Sequence, residues 1–198
     1  YYKYKARIIA IDANGLGVGL VDFMTKAQID PETGDNLPPF GVEGGTTDDA
    51  IELYKKIKGP GVEENAMYLI KANAPINTEA HTYVQTQLAS GKIKFLIDEG
   101  QAKVKLMSTK MGQQMDGDKR ADYLKPFTLT TILREQMLNL VEENEGANII
   151  LKQSSKSIKK DKFSAFEYGL YYIKKEEDRK KKRKSRNFAD MMFFVVSR

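Results

Sequence analysis

Short apolar runs alternate with longer amphipathic stretches along this chain, and the alternation predicts an α/β protein with a largely parallel sheet. The 198 residues suit one domain with a single core, and a hydrophobic fraction of 41% excludes a fully disordered chain. No apolar run approaches the roughly 20 residues that cross a bilayer, so we expect no membrane-spanning segment.

Four apolar runs predict the strands of this sheet. The first run, ARIIAID, carries apolar side chains on both faces, which is typical of a strand in the middle of a parallel sheet. The third run, KIKFLI, alternates apolar and polar residues, as a half-buried strand does. In chain order, the predicted strands are 6–12, 66–72, 92–97 and 148–152.

Three helices are predicted in the first half of the chain. One runs from Val18 to Met24, and a turn-rich surface excursion over 29–48 follows it. A short helix begins at Asp48 and Asp49 and is ended by the Gly-Pro-Gly sequence of 59–61. The third begins at Asn77 and extends through Leu88, with Ser90 and Gly91 as its cap.

Three more helices are predicted in the second half. The stretch AKVKLMSTK, residues 102–110, is followed by a polar loop around 112–122. A long amphipathic helix lies within 127–141, and Gly146 ends that segment. The last helix begins at Lys160 and Asp161 and continues into a lysine-rich tract. Its predicted apolar stripe is Phe163, Phe166, Leu170 and Ile173.

The composition limits the chemistry that the chain can perform. There are no cysteines, which excludes disulfides, thiolate metal sites and thiol nucleophiles. A single histidine, His81, argues against Ser-His-Asp triads and multi-histidine zinc sites, and we interpret it as structural. Any catalysis would therefore depend on carboxylates and lysines.

Positive charge is concentrated in the C-terminal third. The whole chain has a net charge of +5, but residues 152–186 carry +9 and the other 163 residues carry −4. Polyanions are the natural partners of such a basic segment. The alternative interpretation is a solvated helix tail, which is the commoner origin of a charge run.

Asp12 is the first candidate site residue. It ends the first predicted strand and precedes a glycine-rich turn, and ligands of parallel sheets bind beyond the carboxyl ends of the strands. A metal ion could neutralise its carboxylate. The residue could equally form an Asx turn with the amides near Asn14 and Gly15. The local sequence does not choose between these roles.

The glycines after Asp12 suggest a third role. Gly15, Gly17 and Gly19 have the spacing GxGxG, whereas dinucleotide-binding loops have GxGxxG. No GxxxxGK[ST] motif occurs in the chain. A nucleotide-binding turn is therefore a weak alternative.

Asp161 is the second candidate site residue. The small residues Ala165 and Gly169 follow it on one helix face and are expected to let the helix approach the sheet closely. The alternative is a plain helix N-cap, a position that aspartate fills well. Four lysines around Asp161 are candidate phosphate contacts, namely Lys156, Lys159, Lys160 and Lys162.

Several blocks together resemble one known protein family. They are IDANGLGVGLVDFM around Asp12, KKDKFSAFEYGLYYIKKEED around Asp161, and the intermediate LIKANAPINTEAH, GKIKFLIDE and TTILREQMLNL. Their order and spacing resemble the C-terminal nuclease domain of phage large terminases over nearly the whole chain. The resemblance implies a fold like that of ribonuclease H and the RuvC resolvases, in which helices flank a central mixed sheet and acids bind two divalent metal ions.

By this resemblance, Asp12 corresponds to the family's second acid and Asp161 to its third, so both are implied metal ligands and catalytic residues. The family's first acid lies on an opening strand, and no such strand precedes Tyr1. We therefore expect a partial, N-terminally truncated nuclease domain over 1–173, followed by a basic helix extension and apolar tail over 174–198. Such a chain is expected to hold metal weakly and to cleave DNA poorly or not at all, for want of the first acid.

The resemblance also implies the cofactor and partners. These are Mg²⁺ or Mn²⁺, double-stranded DNA, the portal protein and the small terminase subunit, in the cytoplasm of a host bacterium. The exposed sheet edge could pair with another chain to give a homo-oligomer. Two other functions stay open: a non-catalytic module that binds DNA or assembles the packaging machinery through the basic tract, and a nucleotide-binding enzyme that uses the turn from Gly15 to Gly19.

Overall fold

The fold is α/β, with a three-stranded parallel sheet flanked by helices. A computed structural model describes residues 1, 5–14, 16–48, 51–52 and 64–195. The strands are β1 (Ile9–Asp12), β2 (Gln28–Ile29), β3 (Asn36–Leu37), β4 (Phe40–Gly45), β5 (Glu64–Ile70), β6 (Leu140–Glu145) and β7 (Asn148–Gln153). The helices are α1 (Leu16–Met24), α2 (Ala74–Ala89), α3 (Glu99–Met107), α4 (Lys110–Gln114), α5 (Gly117–Leu138) and α6 (Asp161–Val195).

The chain forms two compact units. The first contains residues 1–83 and 167–198, and the second contains residues 84–166. The predicted domain boundary after residue 173 lies within α6, which continues to Val195.

The parallel sheet of the first unit has the strand order β1-β5-β4. Met67 and Leu69 on one face of β5 are buried in a cluster that includes Val21 of α1. Ile70 belongs to a second cluster, which contains Ala80 of α2 and Tyr171 of α6. The central strand is therefore covered on both faces, because neighbouring residues of a strand point to opposite sides.

Two predictions about this sheet are wrong. Among the described strands β1 lies at the sheet edge, and the middle position belongs to β5. The predicted surface excursion over 29–48 contains two strands: β3, which pairs antiparallel with β2, and β4, which belongs to the parallel sheet. The sequence FGVEGG of β4 gives a weak strand signal because it holds three glycines. Gly45 is needed there, since an added Cβ would lie 2.6 Å from the carbonyl oxygen of Leu69.

The helices of the first unit agree in part with the prediction. Helix α1 covers the predicted 18–24. Asp48, Ile51 and Glu52 of the next predicted helix are helical, while its remaining residues lie outside the described ones. Helix α2 begins at Ala74, three residues before the predicted start. Its cap was predicted correctly: Gly91 has a positive φ of 65° and donates to the carbonyl of Leu88 at 3.0 Å.

The buried side of α6 differs from its predicted apolar stripe. Residues at a spacing of four are buried, namely Phe163, Glu167 and Tyr171, whereas Ile173 is 47% exposed. The predicted close approach at Gly169 is also wrong, since a Cβ added there would meet no atom within 4 Å. The predicted stripe is thus correct at Phe163, which is buried, and wrong at Ile173. Glu167 and Tyr171 of the buried side were missed because a glutamate interrupts the apolar pattern.

Glu167 is buried because His81 of α2 provides its partner. The imidazole Nδ1 of His81 contacts a carboxylate oxygen of Glu167, and both side chains are almost completely buried. The sequence indicated no partner for His81. Removing one member of a buried pair leaves the other without its hydrogen bond, so this pair holds α2 and α6 in one arrangement.

Ion pairs continue along α6 after this buried pair. Glu79 of α2 accepts hydrogen bonds from Lys174 at 2.6 Å, from Lys175 at 2.8 Å and from the Tyr171 hydroxyl at 3.1 Å. Partial burial by itself raises the pKa of Glu79, but the two lysine ammonium groups outweigh it and lower this pKa to about 2. Lys174 and Lys175, the first cations of the basic tract, therefore form ion pairs within the first unit.

The second unit packs helices α3, α4 and α5 around one small core. Ala102, Leu106 and Leu124 are buried in it, and Ile97 packs against them. The predicted strand over 92–97 is wrong, because this segment forms no strand. Side chains at positions 93, 95 and 97 are partly buried and those at 92, 94 and 96 are exposed, so the predicted alternation in burial is present. Ile97 packs on helices α3 and α5, and no described strand pairs with this segment.

The end of the second unit also departs from the prediction. The predicted loop around 112–122 contains the start of α5, where Asp116 caps the helix by accepting from the Lys119 amide at 2.8 Å. After α5 the acidic strand β6, LVEENE, pairs antiparallel with β7 across a turn at Gly146, whose φ is 61°. The fourth predicted strand thus belongs to a two-stranded hairpin, and its partner was missed because glutamates obscure the strand pattern.

None of the described helices has a stretch apolar and long enough to span a membrane.

We predict that the Glu79 ion pairs stabilise the fold in a pH-dependent manner. The pKa of Glu79 lies below its ordinary value of 4.5, so the stabilisation is complete above that pH and is lost as the pH falls toward 2. Glu79→Gln should lower the Tm at neutral pH, and this deficit relative to the wild type should shrink between about pH 5 and pH 2. Thermal unfolding followed by circular dichroism measures both.

The control variant is Glu32→Gln. Its carboxylate is exposed and makes no hydrogen bond or ion pair within the described part of the chain, so the Tm should not change at any pH. If Glu79→Gln lowers the Tm by the same amount at acidic and at neutral pH, the charge of Glu79 does not stabilise the fold.

Candidate functional site

Asp12 lies at the carboxyl end of β1, where the parallel pairing aligns it with Ile70 of β5. Its side chain is exposed, and one carboxylate oxygen accepts from the Asn14 amide at 3.0 Å. The Asx turn that the sequence allowed is therefore present. The second oxygen makes no hydrogen bond or ion pair with any described residue, so the turn leaves half of the carboxylate available to a ligand.

Two further hydrogen bonds hold the turn after Asp12 against the end of β5. The Ala13 amide donates to the Ile70 carbonyl at 2.8 Å, and the Asn14 side chain donates to the Ala72 carbonyl at 3.3 Å. These hydrogen bonds fix the backbone next to Asp12 at this edge of the sheet. This is the edge at which parallel sheets bind ligands.

Tyr168 of α6 packs on the sheet face to which Asp12 points, and it was not identified from the sequence. Its ring is half-buried against the cluster that contains Ile70, Ala80 and Tyr171. Burial, followed by the negative charge of Asp12, raises the pKa of Tyr168 to about 12. The hydroxyl makes no hydrogen bond with any described residue.

The described residues of the glycine turn show no feature that would bind a nucleotide. Gly15 lies outside the described residues, whereas Gly17 and Gly19 belong to α1. A Cβ added to Gly19 would meet no atom within 4 Å, so no close backbone approach requires glycine there. The nucleotide-binding function stays an untested alternative.

Asp161 lies in the first turn of α6 and is exposed. Its carboxylate makes no hydrogen bond or ion pair within the described part of the chain, so it does not act as the N-cap that the sequence allowed. An acidic residue in a first helical turn interacts favourably with the helix dipole. Both of its carboxylate oxygens are available to a ligand.

Two buried amides at the end of α5 position the start of α6. The Oε1 atom of Gln136 accepts from the backbone amide of Phe163 at 3.0 Å. Asn139 accepts from the Ser155 amide at 2.9 Å and donates to the Ser155 carbonyl, also at 2.9 Å. The loop that leads to Asp161 is therefore tied to the helix α5 at both of its ends.

The four lysines around Asp161 are accessible. Lys156, Lys159 and Lys160 are exposed and Lys162 is half-buried. No ion pair engages any of them among the described residues. Their charge is thus available to an anion, and their role as phosphate contacts stays a prediction.

Asp12 belongs to the first compact unit and Asp161 to the second. Within the residues that the structure describes, no three Asp, Glu, His or Cys side chains form a group that could hold a metal ion. Mg²⁺ is usually held by one or two carboxylates, with water and substrate phosphates completing its octahedron. Each aspartate alone offers carboxylate oxygens of the kind that Mg²⁺ and Mn²⁺ prefer.

Comparison with protein-family models, with curated proteins and with solved structures gave no match for this chain.

We predict that Gln136 is required to order the start of α6. Gln136→Ala leaves the buried amide of Phe163 without its acceptor, so the free energy of unfolding should fall by about 1–3 kcal/mol. Hydrogen exchange at the Phe163 amide should become faster. The control is Glu135→Ala, which truncates an exposed neighbour on the same helix. Unchanged protection of Phe163 in Gln136→Ala would contradict this role.

Proposed function

We propose that the chain is a metal-dependent endonuclease domain that cleaves double-stranded DNA by two-metal phosphodiester hydrolysis. The observation that carries the proposal is the carboxylate of Asp12 at the end of a parallel strand, one oxygen of which makes no hydrogen bond or ion pair with any described residue. The resemblance of the blocks around Asp12 and Asp161 to the nuclease domain of phage large terminases supports it. A ribonuclease H-like fold is part of this proposal.

In this function Asp12 and Asp161 would each supply a carboxylate ligand to Mg²⁺ or Mn²⁺, and the metal would activate water and stabilise the leaving oxygen. The Asx turn orients Asp12, because the Asn14 amide occupies one carboxylate oxygen and directs the other outward. Gln136 and Asn139 hold the segment that carries Asp161. The lysines near Asp161 would contact the phosphate backbone, which positions DNA without reading its sequence.

The proposed setting is DNA packaging by a bacteriophage. The partners would be double-stranded DNA, the portal protein and the small terminase subunit, and the location would be the cytoplasm of the host bacterium. The outer edge of β1 has no partner among the described strands, which is compatible with a homo-oligomer formed through that edge.

We predict that both aspartates are needed for metal-dependent cleavage. Mn²⁺ should raise the Tm of the wild-type chain, because it binds the folded state, and should support nicking of plasmid DNA. Asp12→Asn and Asp161→Asn should each reduce the nicking rate by about a hundredfold or more, since each removes a charged metal ligand.

The matched control is Asp22→Asn, which removes an exposed carboxylate on α1 and should cleave as the wild type does. Equal cleavage by the wild type and by both site variants would remove Asp12 and Asp161 from the mechanism. A wild-type chain that neither binds Mn²⁺ nor nicks DNA would contradict the proposed function.

A non-catalytic DNA-binding function is the second candidate, and the pairing of charges along α6 favours a specific form of it. Lys174 and Lys175 bind Glu79, and Arg179 binds Glu43 and Glu176. Among the cations that follow, Lys181 pairs with Asp178 at 3.9 Å, whereas Lys180, Lys182 and Arg183 are exposed and form no ion pair within the described residues. A polyanion would therefore bind beyond residue 179.

We predict that this later part of the tract contributes to DNA affinity if the second function is correct. Replacing Lys180, Lys182 and Arg183 together by Gln should weaken DNA binding and lower the slope of log affinity against log salt by about 1 per lost phosphate contact. Fluorescence anisotropy without divalent metal measures both quantities. The control replaces the exposed Lys103, Lys105 and Lys110 by Gln, with the same loss of charge. Equal effects of the two triple variants would exclude a localised binding tract.

A further inference from the structure

Helix α6 carries three neighbouring tyrosines, Tyr168, Tyr171 and Tyr172, and the hydroxyl of Tyr168 differs from the other two in its hydrogen bonding. The hydroxyl of Tyr171 donates to Glu79 at 3.1 Å, and that of Tyr172 donates to Glu43, also at 3.1 Å. The Tyr168 hydroxyl makes no hydrogen bond with any described residue. The first two hydroxyls contribute to the fold, whereas the third is not needed for it.

The ring of Tyr168 is held in place by the core. It packs against the cluster of Ile70, Ala80 and Tyr171, and Ile70 is the residue that the sheet aligns with Asp12. The aromatic body is therefore immobilised beside the carboxyl end of β5. Burying a tyrosine ring while its hydroxyl stays available is a common arrangement at binding sites.

Tyr168 and Asp12 lie on the same face of the parallel sheet. Ala10 packs against the same cluster as Tyr168, and Asp12 follows Ala10 by two residues on β1, so its side chain points to that face. No hydrogen bond joins the two side chains. The tyrosine hydroxyl can donate a hydrogen bond, and one oxygen of Asp12 makes no hydrogen bond or ion pair with any described residue.

We propose that Tyr168 is a substrate-binding residue whose hydroxyl donates a hydrogen bond to a phosphate oxygen of DNA bound at Asp12. This inference rests on the proposed function, since it is the divalent cation on Asp12 that would bring a phosphate to this edge. A donor without an internal partner suits an anionic oxygen, and a charge-assisted hydrogen bond to phosphate is stronger than one between neutral groups.

The alternative is that Tyr168 acts only through its ring, as part of the core. The two roles differ in their response to one atom, because Tyr168→Phe keeps the ring and removes only the hydroxyl. Tyr172→Phe is the matched control, since it makes the same change one turn further along α6, at a hydroxyl that Glu43 occupies.

The experiment measures the affinity of a short duplex DNA for the full chain in Ca²⁺, which takes oxygen ligands as Mg²⁺ does. Asp12→Asn defines the binding that does not depend on the metal site. Tyr168→Phe should weaken the metal-dependent binding by about tenfold, the loss expected for one hydrogen bond to a charged group. Its Tm and its stabilisation by Mn²⁺ should match those of the wild type. Tyr172→Phe should leave the DNA affinity unchanged.

Three results would overturn the inference. Wild-type affinity in Tyr168→Phe, with metal-dependent binding intact, would reject the role of Tyr168 and leave the proposed function standing. An equal loss of affinity in Tyr168→Phe and Tyr172→Phe would assign the effect to helix α6 in general. DNA binding that neither Ca²⁺ nor Asp12→Asn alters would reject the proposed function, and the role of Tyr168 with it.

Discussion

The burial of β5 on both faces is the constraint on which the first unit depends. Met67 and Leu69 fill the cluster under α1, and Ile70 fills the cluster shared with α2 and α6. Parallel strands need helical or long connections, and helices cover both faces of such sheets. The register with β1 then follows, since a shift by one residue would turn every buried side chain of β5 to the opposite face. That register places Asp12 beside Ile70, and it thereby places the candidate site.

Helix α6 combines structural and candidate functional positions along a single element. Its first residue, Asp161, is exposed and available, and its next turns contribute the buried Glu167 and the half-buried Tyr168. The lysines that follow are paired with carboxylates as far as Arg179. The positive charge counted from the sequence is therefore not all available to a partner. Ion pairs weaken the attraction of Lys174, Lys175 and Arg179 for a polyanion. The charges of Lys180, Lys182 and Arg183, which form no ion pair within the described residues, are not weakened in this way.

The accuracy of the sequence-based predictions followed the strength of local signals. The strand before Asp12, the start of α6 at Asp161 and the glycine cap after α2 were predicted correctly, because apolar period and capping residues act over a few neighbours. Strands β4 and β6 were missed because glycines and glutamates hide their patterns, and both depend on partners elsewhere in the chain. The alternation within 92–97 was real, but the segment found a helical surface to pack on. In each case the packing or pairing partner of the segment, and not its intrinsic strand propensity, decides the structure that it forms.

By itself the sequence determined the α/β class, the order of most helices and strands, and the two aspartates worth testing. These follow from periodicity, caps and charge, which are properties of neighbouring residues. Only the tertiary structure decided that His81 meets Glu167, that Glu79 neutralises two lysines, and that Tyr168 packs on the sheet face to which Asp12 points. The three hydrogen-bonded pairs join residues that are 86 positions apart for His81 and Glu167, 95 for Glu79 and Lys174, and 96 for Glu79 and Lys175. Contacts at such separations are selected by packing and by the desolvation of buried polar groups, and no local pattern encodes them.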